Sequence, residues 1–267
     1  MIQTNTANKP VALITGAASG LGLALAQQLS TTHFLVLIDI QEKALERAAN
    51  SLHCSVYFTC DLSERSAIAY LAEKLEKQHL RIDALYNNAG ITHRSLASNT
   101  HIEVIEKVMR IDYLAPVQLT QVLLPLLTER ACIVNIGSMA GWMPVLGRAG
   151  YCAAKSALHQ YFETLRAEWH NTNKHILMVY PSFLDTPIEH NALNGQGEKA
   201  THKRSMVGAV TSSALMASRI ISAAEQRKPR LFPDTFTYLS SLLYRLAPSL
   251  YLTLMRRRLA SELEVTT

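Results

Sequence analysis

Residues 11–22 read V-A-L-I-T-G-A-A-S-G-L-G and decide the fold class. The apolar run 11–14 is typical of a buried strand, and a helical pattern begins at the end of the stretch. Between the two, Gly16, Gly20 and Gly22 lack side chains that would keep a phosphate away from backbone N–H groups and a helix N-terminus. Taken alone this spacing is weak, because glycine turns also close ordinary strand-to-helix loops. The order strand, glycine turn, helix nevertheless favours a dinucleotide pyrophosphate site.

The next apolar run, Phe34–Ile38, ends in Asp39, about 20 residues beyond the glycine turn. A carboxylate there can accept hydrogen bonds from a ribose diol. It would also repel a 2′-phosphate, and neither Ser19 nor Ile40 supplies the positive charge that such a phosphate needs. We therefore predict NAD rather than NADP as the cofactor. Asp39 could instead cap the following helix, and the two roles can coexist.

Tyr151 and Lys155 stand four residues apart in Y-C-A-A-K. One helical turn separates them, so both side chains project from one face, where an ammonium can lower the pKa of a phenol. The spacing alone also fits a surface helix pair. Ser138 lies thirteen residues before Tyr151, at the end of another apolar run. The three residues together favour general acid/base chemistry.

These motifs resemble the short-chain dehydrogenase/reductase family in their order and spacing. The segments that carry the resemblance are Thr15–Gly22, Asp39, Asp61-Leu62, Asn87-Asn88-Ala89-Gly90, Ser138, Tyr151 and Lys155. The resemblance extends roughly from Lys9 to Arg230, and the combination is far more specific than any of its parts. It implies an NAD-dependent oxidoreductase with an α/β fold: a doubly wound parallel sheet, Rossmann-like, with helices on both faces.

The resemblance also implies roles for the catalytic residues. Tyr151 would exchange a proton with the substrate oxygen while hydride moves between the carbon and the nicotinamide. Lys155 would hold the nicotinamide ribose and stabilise the tyrosinate, and Ser138 would hydrogen-bond the same substrate oxygen.

The cofactor contacts implied by the resemblance form a larger set. Asp61 and Leu62 would flank the adenine, and Pro181–Thr186 matches the segment that holds the carboxamide, with Ser182 where the family usually has glycine. The full set is Gly16, Ser19, Gly20, Leu21, Gly22, Asp39, Asp61, Leu62, Asn88, Ala89, Gly90, Tyr151, Lys155, Pro181, Ser182, Phe183 and Thr186.

Asp112 departs from the family pattern, because it stands where an asparagine usually completes a catalytic tetrad. In the family, the backbone carbonyl at this position binds a relay water next to the catalytic lysine. An ionised aspartate cannot donate hydrogen bonds and adds negative charge near Lys155. Pro116 has no N–H to give to the carbonyl of Asp112, so it should distort the helix there. We hypothesise that this frees the carbonyl for the relay; Pro116 could equally do no more than bend the helix.

Length and composition fit one domain over residues 1–267. An apolar content of 48% is enough to cover both faces of a parallel sheet. The apolar runs that alternate with amphipathic stretches are Val11–Ile14, Leu35–Ile38, Val56–Thr59, Ala84–Tyr86, Cys132–Ile136 and Ile176–Tyr180.

The net charge is +5, but the positively charged residues are spread along the chain apart from short clusters at helix ends. We therefore expect no nucleic-acid partner. The cysteines show no metal-ligand spacing, so no metal site is predicted. Neither a secretory pattern nor a membrane-spanning run occurs, so we expect a cytoplasmic protein.

The sequence gives less information about the substrate than about the cofactor. Residues 141–146 are almost wholly apolar and include Trp142, which we predict to contact substrate together with Ser138 and Tyr151. This favours an apolar secondary alcohol or ketone, although such residues are often core. Residues 184–208 contain two glycines among polar residues, which suits a substrate lid. His93, Arg94 and His190 are further candidates for substrate contact, although single residues of this kind are more often solvated at the surface.

Residues 231–267 form a predicted C-terminal helical extension with apolar residues at helical spacing and Arg256-Arg257-Arg258 near its end. It could cap the substrate pocket, pack on another subunit, or contact a membrane peripherally. The helices around 101–127 and 156–169 match those that pair in family dimers and tetramers, so a homodimer or homotetramer is expected. As an alternative function, Asp112 and the unusual C-terminal segment would suit an NAD-binding regulatory or scaffolding protein with weakened catalysis.

Overall fold

The computed structural model describes residues 9–52, 55–201, 210–260 and 262. The strands are β1 (Val11–Thr15), β2 (Phe34–Asp39), β3 (Ser55–Thr59), β4 (Ile82–Asn87), β5 (Leu127–Ile136), β6 (His175–Val179), β7 (Phe183–Asp185), β8 (Val210–Ser212) and β9 (Arg230–Leu231). The α-helices are α1 (Gly20–Leu29), α2 (Glu42–Asn50), α3 (Arg65–Lys77), α4 (Ile102–Met109), α5 (Ala115–Leu123), α6 (Ala149–Glu168), α7 (Ser213–Glu225), α8 (Thr235–Leu246) and α9 (Pro248–Arg258).

Seven of these strands form one parallel sheet in the order β3-β2-β1-β4-β5-β6-β9. The chain builds outward from β1 on one side and from β4 on the other, so the strand order reverses between these two strands. In a doubly wound sheet, loops diverge at such a reversal and leave a crevice at the carboxyl ends of the strands. The predicted fold class is therefore confirmed.

The sheet is buried on both faces. Val11 and Leu13 of β1 face a core formed with α3, α5 and α6, while Ala12 and Ile14 face a core formed with α1 and α7. Because alternate residues of a strand point to opposite faces, a strand covered on both sides must be apolar throughout. The continuous apolar run that opens the sequence is the consequence of this double coverage.

Each predicted apolar run overlaps a strand, but β4 and β5 begin before their runs. β5 begins at Leu127 rather than Cys132, because its polar first residues lie at the exposed end of the sheet. β4 begins at Ile82 rather than Ala84, since Asp83 interrupts the apolar pattern. The Asp83 carboxylate accepts from the backbone N–H of Val11 at 2.8 Å and so joins the starts of β1 and β4.

The segments proposed as lid and extension differ in their structure. Residues 184–201 contain part of β7 and short bridges from Leu193 to His93 and Lys199, while 202–208 lie outside the described residues. The extension contains α8 and α9, which pack against each other. No helix in the described ranges is both long enough and apolar enough to cross a membrane.

Candidate active site

A cavity of about 950 Å³ opens at the carboxyl ends of the strands, beside the reversal between β1 and β4. Its walls include nearly all of the residues predicted to bind cofactor or substrate. Those that line it are Gly16, Ser19, Gly20, Leu21, Asp39, Asp61, Leu62, Asn88, Ala89, Gly90, Ser138, Tyr151, Lys155, Pro181, Ser182, Phe183 and Thr186. Three predicted site residues, Gly22, Asp112 and Trp142, do not line the cavity. Each packs against other parts of the protein, as described below.

The glycine turn has backbone conformations that need glycine. Gly16 and Gly20 have φ values of +66° and +54°, in the left-handed region. Gly22 lies on the first turn of α1, where a Cβ atom would be 2.1 Å from the carbonyl oxygen of Gly16. The turn therefore packs tightly on itself and leaves its backbone at the cavity wall. A bare-backbone turn before a helix N-terminus suits the pyrophosphate of a dinucleotide, so the residues present fit a dinucleotide cofactor, whether NAD or NADP.

Replacing Gly22 with alanine is expected to weaken binding of the dinucleotide about 10- to 100-fold. The new methyl would overlap backbone atoms, and overpacking of this kind costs about 1–3 kcal/mol. Titration of NADH fluorescence measures the change. Gln27→Ala, on an exposed position of the same helix, should leave affinity unchanged. Equal affinity of the Gly22 variant and the wild type would show that the close packing of the turn is unimportant for the cradle.

Asp39 lies at the end of β2 and holds the glycine turn to the start of α2. Its carboxylate accepts from the backbone N–H of Ala18 at 3.0 Å and from that of Gln41 at 3.0 Å. Asp39 is buried but lines the cavity. Asp39 therefore bonds to the glycine turn and to the residue before α2 and does not cap the helix itself, while its contact with a ribose stays a prediction.

Thr15 joins the ends of the two strands that flank the crevice. Its hydroxyl accepts from the backbone N–H groups of Asn88 and Ala89 at 2.9 and 3.0 Å and donates to the carbonyl of Tyr86. The Asn88 amide donates to the Thr15 carbonyl at 2.8 Å. These bonds fix Asn88 and Ala89 at the cavity floor, beside Gly16.

Ser138 and Tyr151 meet at the inner wall of the cavity. Ser138 follows β5, where its hydroxyl accepts from the backbone N–H of Ala140 and lies near enough to the Tyr151 phenol to act on its pKa in the lowering direction. Tyr151 lies on the first turn of α6. The Lys155 ammonium, one helical turn along, lies 5.7 Å from the centre of the Tyr151 ring. The structure therefore brings together the three residues singled out by sequence spacing.

Lys155 and Asp112 form a buried ion pair. Their charged atoms are 3.2 Å apart, and their side chains are 6% and 0% exposed. The second Asp112 oxygen accepts from the backbone N–H of Ile91 at 2.8 Å, while Lys155 also donates to the carbonyl of Ile136 at 3.0 Å. Burial would lower the pKa of Lys155, but Asp112 and Tyr151 outweigh it, so this pKa lies above its ordinary value. Lys155 is therefore held as a cation.

The helix that carries Asp112 leaves α geometry at this residue. Arg110–Leu114 forms a π-helical turn between α4 and α5, and the N–H of Ala115 reaches back to the carbonyl of Arg110. Pro116, which follows, has no N–H to return to the carbonyl of Asp112. A distortion here is what the proline predicts, and π turns are frequent at functional sites. That the Asp112 carbonyl serves a proton relay stays a hypothesis.

The pKa of Tyr151 is raised, contrary to the direction that the Tyr–Lys spacing suggests. Burial of the phenol is the largest cause; Lys155 opposes it, but Asp112 acts with burial. The prediction from sequence included the effect of Lys155 on Tyr151 but neither the burial of the phenol nor the nearby Asp112. The phenol consequently keeps its proton at neutral pH, the state that a general acid needs.

A comparison with known proteins decides the family. The family model of short chain dehydrogenases matches residues 10–197. The chain belongs to the short-chain dehydrogenase/reductase family. It is thus a member of an oxidoreductase family whose fold binds a nicotinamide cofactor.

Curated relatives match nearly the whole of this short-chain dehydrogenase. The mouse dehydrogenase/reductase SDR family member 7B is 33% identical over 266 residues, which cover 94% of this chain and 82% of the relative. A dehydrogenase/reductase SDR family protein 7-like from Drosophila melanogaster is 30% identical, with coverages of 93% and 80%.

Solved structures share the fold at lower identity. A Burkholderia phymatum short chain dehydrogenase/reductase in complex with NAD has a TM-score of 0.80 at 22% identity and covers 94% of this chain and 96% of its own. An alcohol dehydrogenase from Thermococcus sibiricus complexed with 5-hydroxy-NADP has a TM-score of 0.71 at 18% identity, with coverages of 84% and 94%.

Trp142 of this dehydrogenase is not placed to contact a substrate in the cavity, which corrects the sequence prediction. Its indole packs against the rings of His159, Tyr180 and Phe232, and the Arg245 guanidinium stacks on it 4.1 Å from the ring centre. The loop turns the indole toward α6 and α8 because three aromatic partners and a cation lie there. Its neighbours Met143, Val145 and Leu146 line the cavity instead.

His93 is also structural rather than a substrate contact. It is fully buried, hydrogen-bonds Ser95 at 3.1 Å and accepts from the backbone N–H of Gly150 at 3.0 Å. Burial, with help from Arg148, lowers the pKa of His93 to about 4. A neutral imidazole therefore supports the first turn of α6, next to Tyr151.

Two groups in the cavity wall were not among the predicted site residues, although capping of the pocket by the C-terminal extension was one expectation. Arg148 lies at the start of α6 and pairs with Glu189 at 2.9 Å, which joins the catalytic helix to the segment after β7. The second group comes from α8, α9 and the residue that follows α9: Phe236, Thr237, Ser240, Leu243, Tyr251, Leu254, Met255, Arg258 and Leu259. Amphipathic spacing could find these helices but not the surface on which they pack.

Proposed function

We propose that this protein is an NAD-dependent oxidoreductase that interconverts an apolar secondary alcohol and its ketone. The observation that carries the proposal is the convergence of Ser138, Tyr151 and Lys155 on one cavity that also contains the glycine turn and Asp39. A bound nicotinamide supplies or accepts a hydride at the substrate carbon. The remaining chemistry belongs to the side chains of the chain.

In the reducing direction Ser138 and Tyr151 both hydrogen-bond the carbonyl oxygen of the substrate. The Tyr151 O–H bond breaks and its proton passes to that oxygen, which leaves a phenolate on the enzyme. The Lys155 ammonium stabilises this phenolate, and Asp112 holds the ammonium in place. In the oxidising direction the same atoms move in reverse. The Asp112–Lys155 pair thus keeps the cation at the site, so Asp112 no longer argues for the regulatory alternative.

The preference for an apolar substrate rests on the outer part of the cavity. Met143, Val145 and Leu146 pack against an apolar cluster formed by Tyr251 and Met255 of α9 and by Leu259, which follows it. The Tyr251 hydroxyl donates to the carbonyl of Pro144 at 2.9 Å, which fixes α9 on this loop. An apolar wall of this kind offers few hydrogen-bonding groups to a polar substrate, so it favours a substrate whose surface is mostly hydrocarbon.

Turnover with a substrate panel tests the proposal. The purified protein is mixed with NAD and apolar secondary alcohols, including sterols and retinoid-like compounds, and the matching ketones are tested with NADH. Nicotinamide absorbance reports the reaction, and Tyr151→Phe is the control. Turnover that the control lacks supports the proposal. If NAD binds but neither the alcohols nor the ketones react, the proposed substrate class is wrong.

A preference for NAD follows from the charge of Asp39. Asp39→Asn removes the repulsion of a 2′-phosphate while keeping an oxygen acceptor, so the affinity for NADPH relative to NADH should rise about tenfold or more. Competitive titration of both cofactors measures the ratio. Glu73→Gln removes an exposed acid from α3, outside the cavity lining, and should leave the ratio unchanged. An unchanged ratio in the Asp39 variant would remove the basis for NAD preference.

A homodimer or homotetramer and a cytoplasmic location remain predictions. The helices expected to pair carry exposed apolar residues, among them Ile102 of α4 and Leu124 after α5. They offer a surface for a second copy. Sedimentation velocity measures the oligomeric state.

A further inference from the structure

The two C-terminal helices expose an unusual amount of apolar surface. Six large apolar side chains of α8 and α9 are exposed; they are Phe236, Leu239, Leu246, Leu250, Leu252 and Leu254. We call these six residues the C-terminal apolar surface. Leu246 is 85% exposed and Leu250 is 51% exposed. Other residues of the same helices, such as Tyr251 and Met255, face inward, so the helices are amphipathic. Large apolar side chains exposed in this number on two packed helices indicate an interaction site.

The charges of the same helices have one sign. Residues 235–258 contain Arg245, Arg256, Arg257 and Arg258 and no aspartate or glutamate. The three consecutive arginines are exposed at the end of α9. A second copy of this surface would bring like charges together, which costs affinity. An anionic surface that also accepts hydrocarbon complements both features at once.

The cavity opens onto this surface. Phe236 of α8 and Leu254 of α9 each line the cavity and are 54% and 43% exposed. Arg258 is likewise exposed and lines the cavity. The mouth is therefore bounded by the two helices, with an arginine at its edge. An apolar compound dissolved in a bilayer could enter there without crossing water.

We propose that the C-terminal apolar surface docks on the surface of a membrane that contains anionic phospholipids. Leu246 and Leu250 enter the boundary between headgroups and acyl chains, and Arg256 and Arg257 bind the lipid phosphates. Docking places the cavity mouth against the lipid. Delivery of substrate by this route rests on the proposed function, whereas docking itself does not.

Binding to vesicles tests the proposal without substrate or cofactor, so its outcome is independent of turnover. The full chain is mixed at low ionic strength with vesicles of phosphatidylcholine alone or with phosphatidylserine, and flotation measures the bound fraction. We expect binding to the anionic vesicles that falls steeply with salt. Leu246→Ser with Leu250→Ser should weaken it tenfold or more, since two apolar anchors are lost. Arg256→Gln with Arg257→Gln should weaken it about 10- to 30-fold.

Lys74→Gln with Lys77→Gln removes the same charge from the exposed face of α3 and is the matched control. It should bind as wild type does. The substituted leucines and arginines lie outside the cavity lining, and unfolding midpoints establish that the variants fold. Failure of the wild type to bind anionic vesicles at low salt would overturn the proposal. So would full binding by the double serine variant. If that variant instead lost only self-association in sedimentation velocity, the surface would belong to a second copy of the chain.

Discussion

Tyr151→Phe is expected to lower kcat for carbonyl reduction by about 10²- to 10⁴-fold, the range for loss of a positioned general acid. Phenylalanine fills the same buried volume, so the substitution removes the hydroxyl and little else. The Ser138 and Lys155 side chains remain but carry no proton path equivalent to the phenol. Affinity for the cofactor should change little, because the glycine turn and Asp39 are unaffected. Single-turnover measurement of NADH oxidation isolates the chemical step from product release.

Tyr161→Phe is the matched control. Tyr161 lies on the same helix, and its hydroxyl accepts from Gln121 at 3.3 Å, outside the cavity. It should retain wild-type turnover. If Tyr151→Phe kept more than about a tenth of the single-turnover rate, another group would be the proton donor and the role assigned to Tyr151 would be wrong.

The fold was largely predictable because its determinants are local. A strand covered on both faces shows a continuous apolar run, and glycines in the turn after β1 mark a backbone that no other residue fits. β9 was missed because a strand of two residues, Arg230 and Leu231, is too short to show a periodic pattern. It is recognised as a strand only from its pairing with β6. The polar first half of β5 was missed for the same reason.

The site was predictable in its residues but not in its electrostatics. Spacing along α6 places Tyr151 and Lys155 on one face, yet it says nothing of what lies opposite them. Asp112 comes from a different helix, and only the packed structure shows that it pairs with Lys155 and acts together with burial, the larger cause, to raise the pKa of Tyr151. Trp142 was misassigned because an apolar loop can direct some side chains into the cavity and others into the core, and the sequence does not distinguish them. Its partners Phe232 and Arg245 are about 100 residues away along the chain, beyond the reach of a local pattern.

Asp112→Leu is expected to lower the free energy of unfolding by about 3–5 kcal/mol at neutral pH, the usual cost of breaking a buried ion pair from one side. Lys155 would be left as a buried cation without its counterion, and the N–H of Ile91 would lose its acceptor. Urea unfolding at equilibrium measures the loss. Asp112→Asn should cost less, because an amide oxygen can still accept from Ile91.

The double variant Asp112→Leu with Lys155→Met separates the ion pair from general packing. It removes both charges from the interior, so it should be more stable than Asp112→Leu alone.

The pH dependence of the free energy of unfolding is a second test of the ion pair. In the single variant the folded state binds the Lys155 proton less readily than the unfolded chain does, so stability should rise from pH 7 toward the ordinary lysine pKa of about 10.4. In the wild type the raised pKa of Lys155 gives the reverse slope, with stability lost only as pH rises through it. A single variant as stable as the wild type, with no such rise, would mean that Asp112 does not hold the charge of Lys155. Asp112 would then not be a reason that Tyr151 stays protonated at neutral pH.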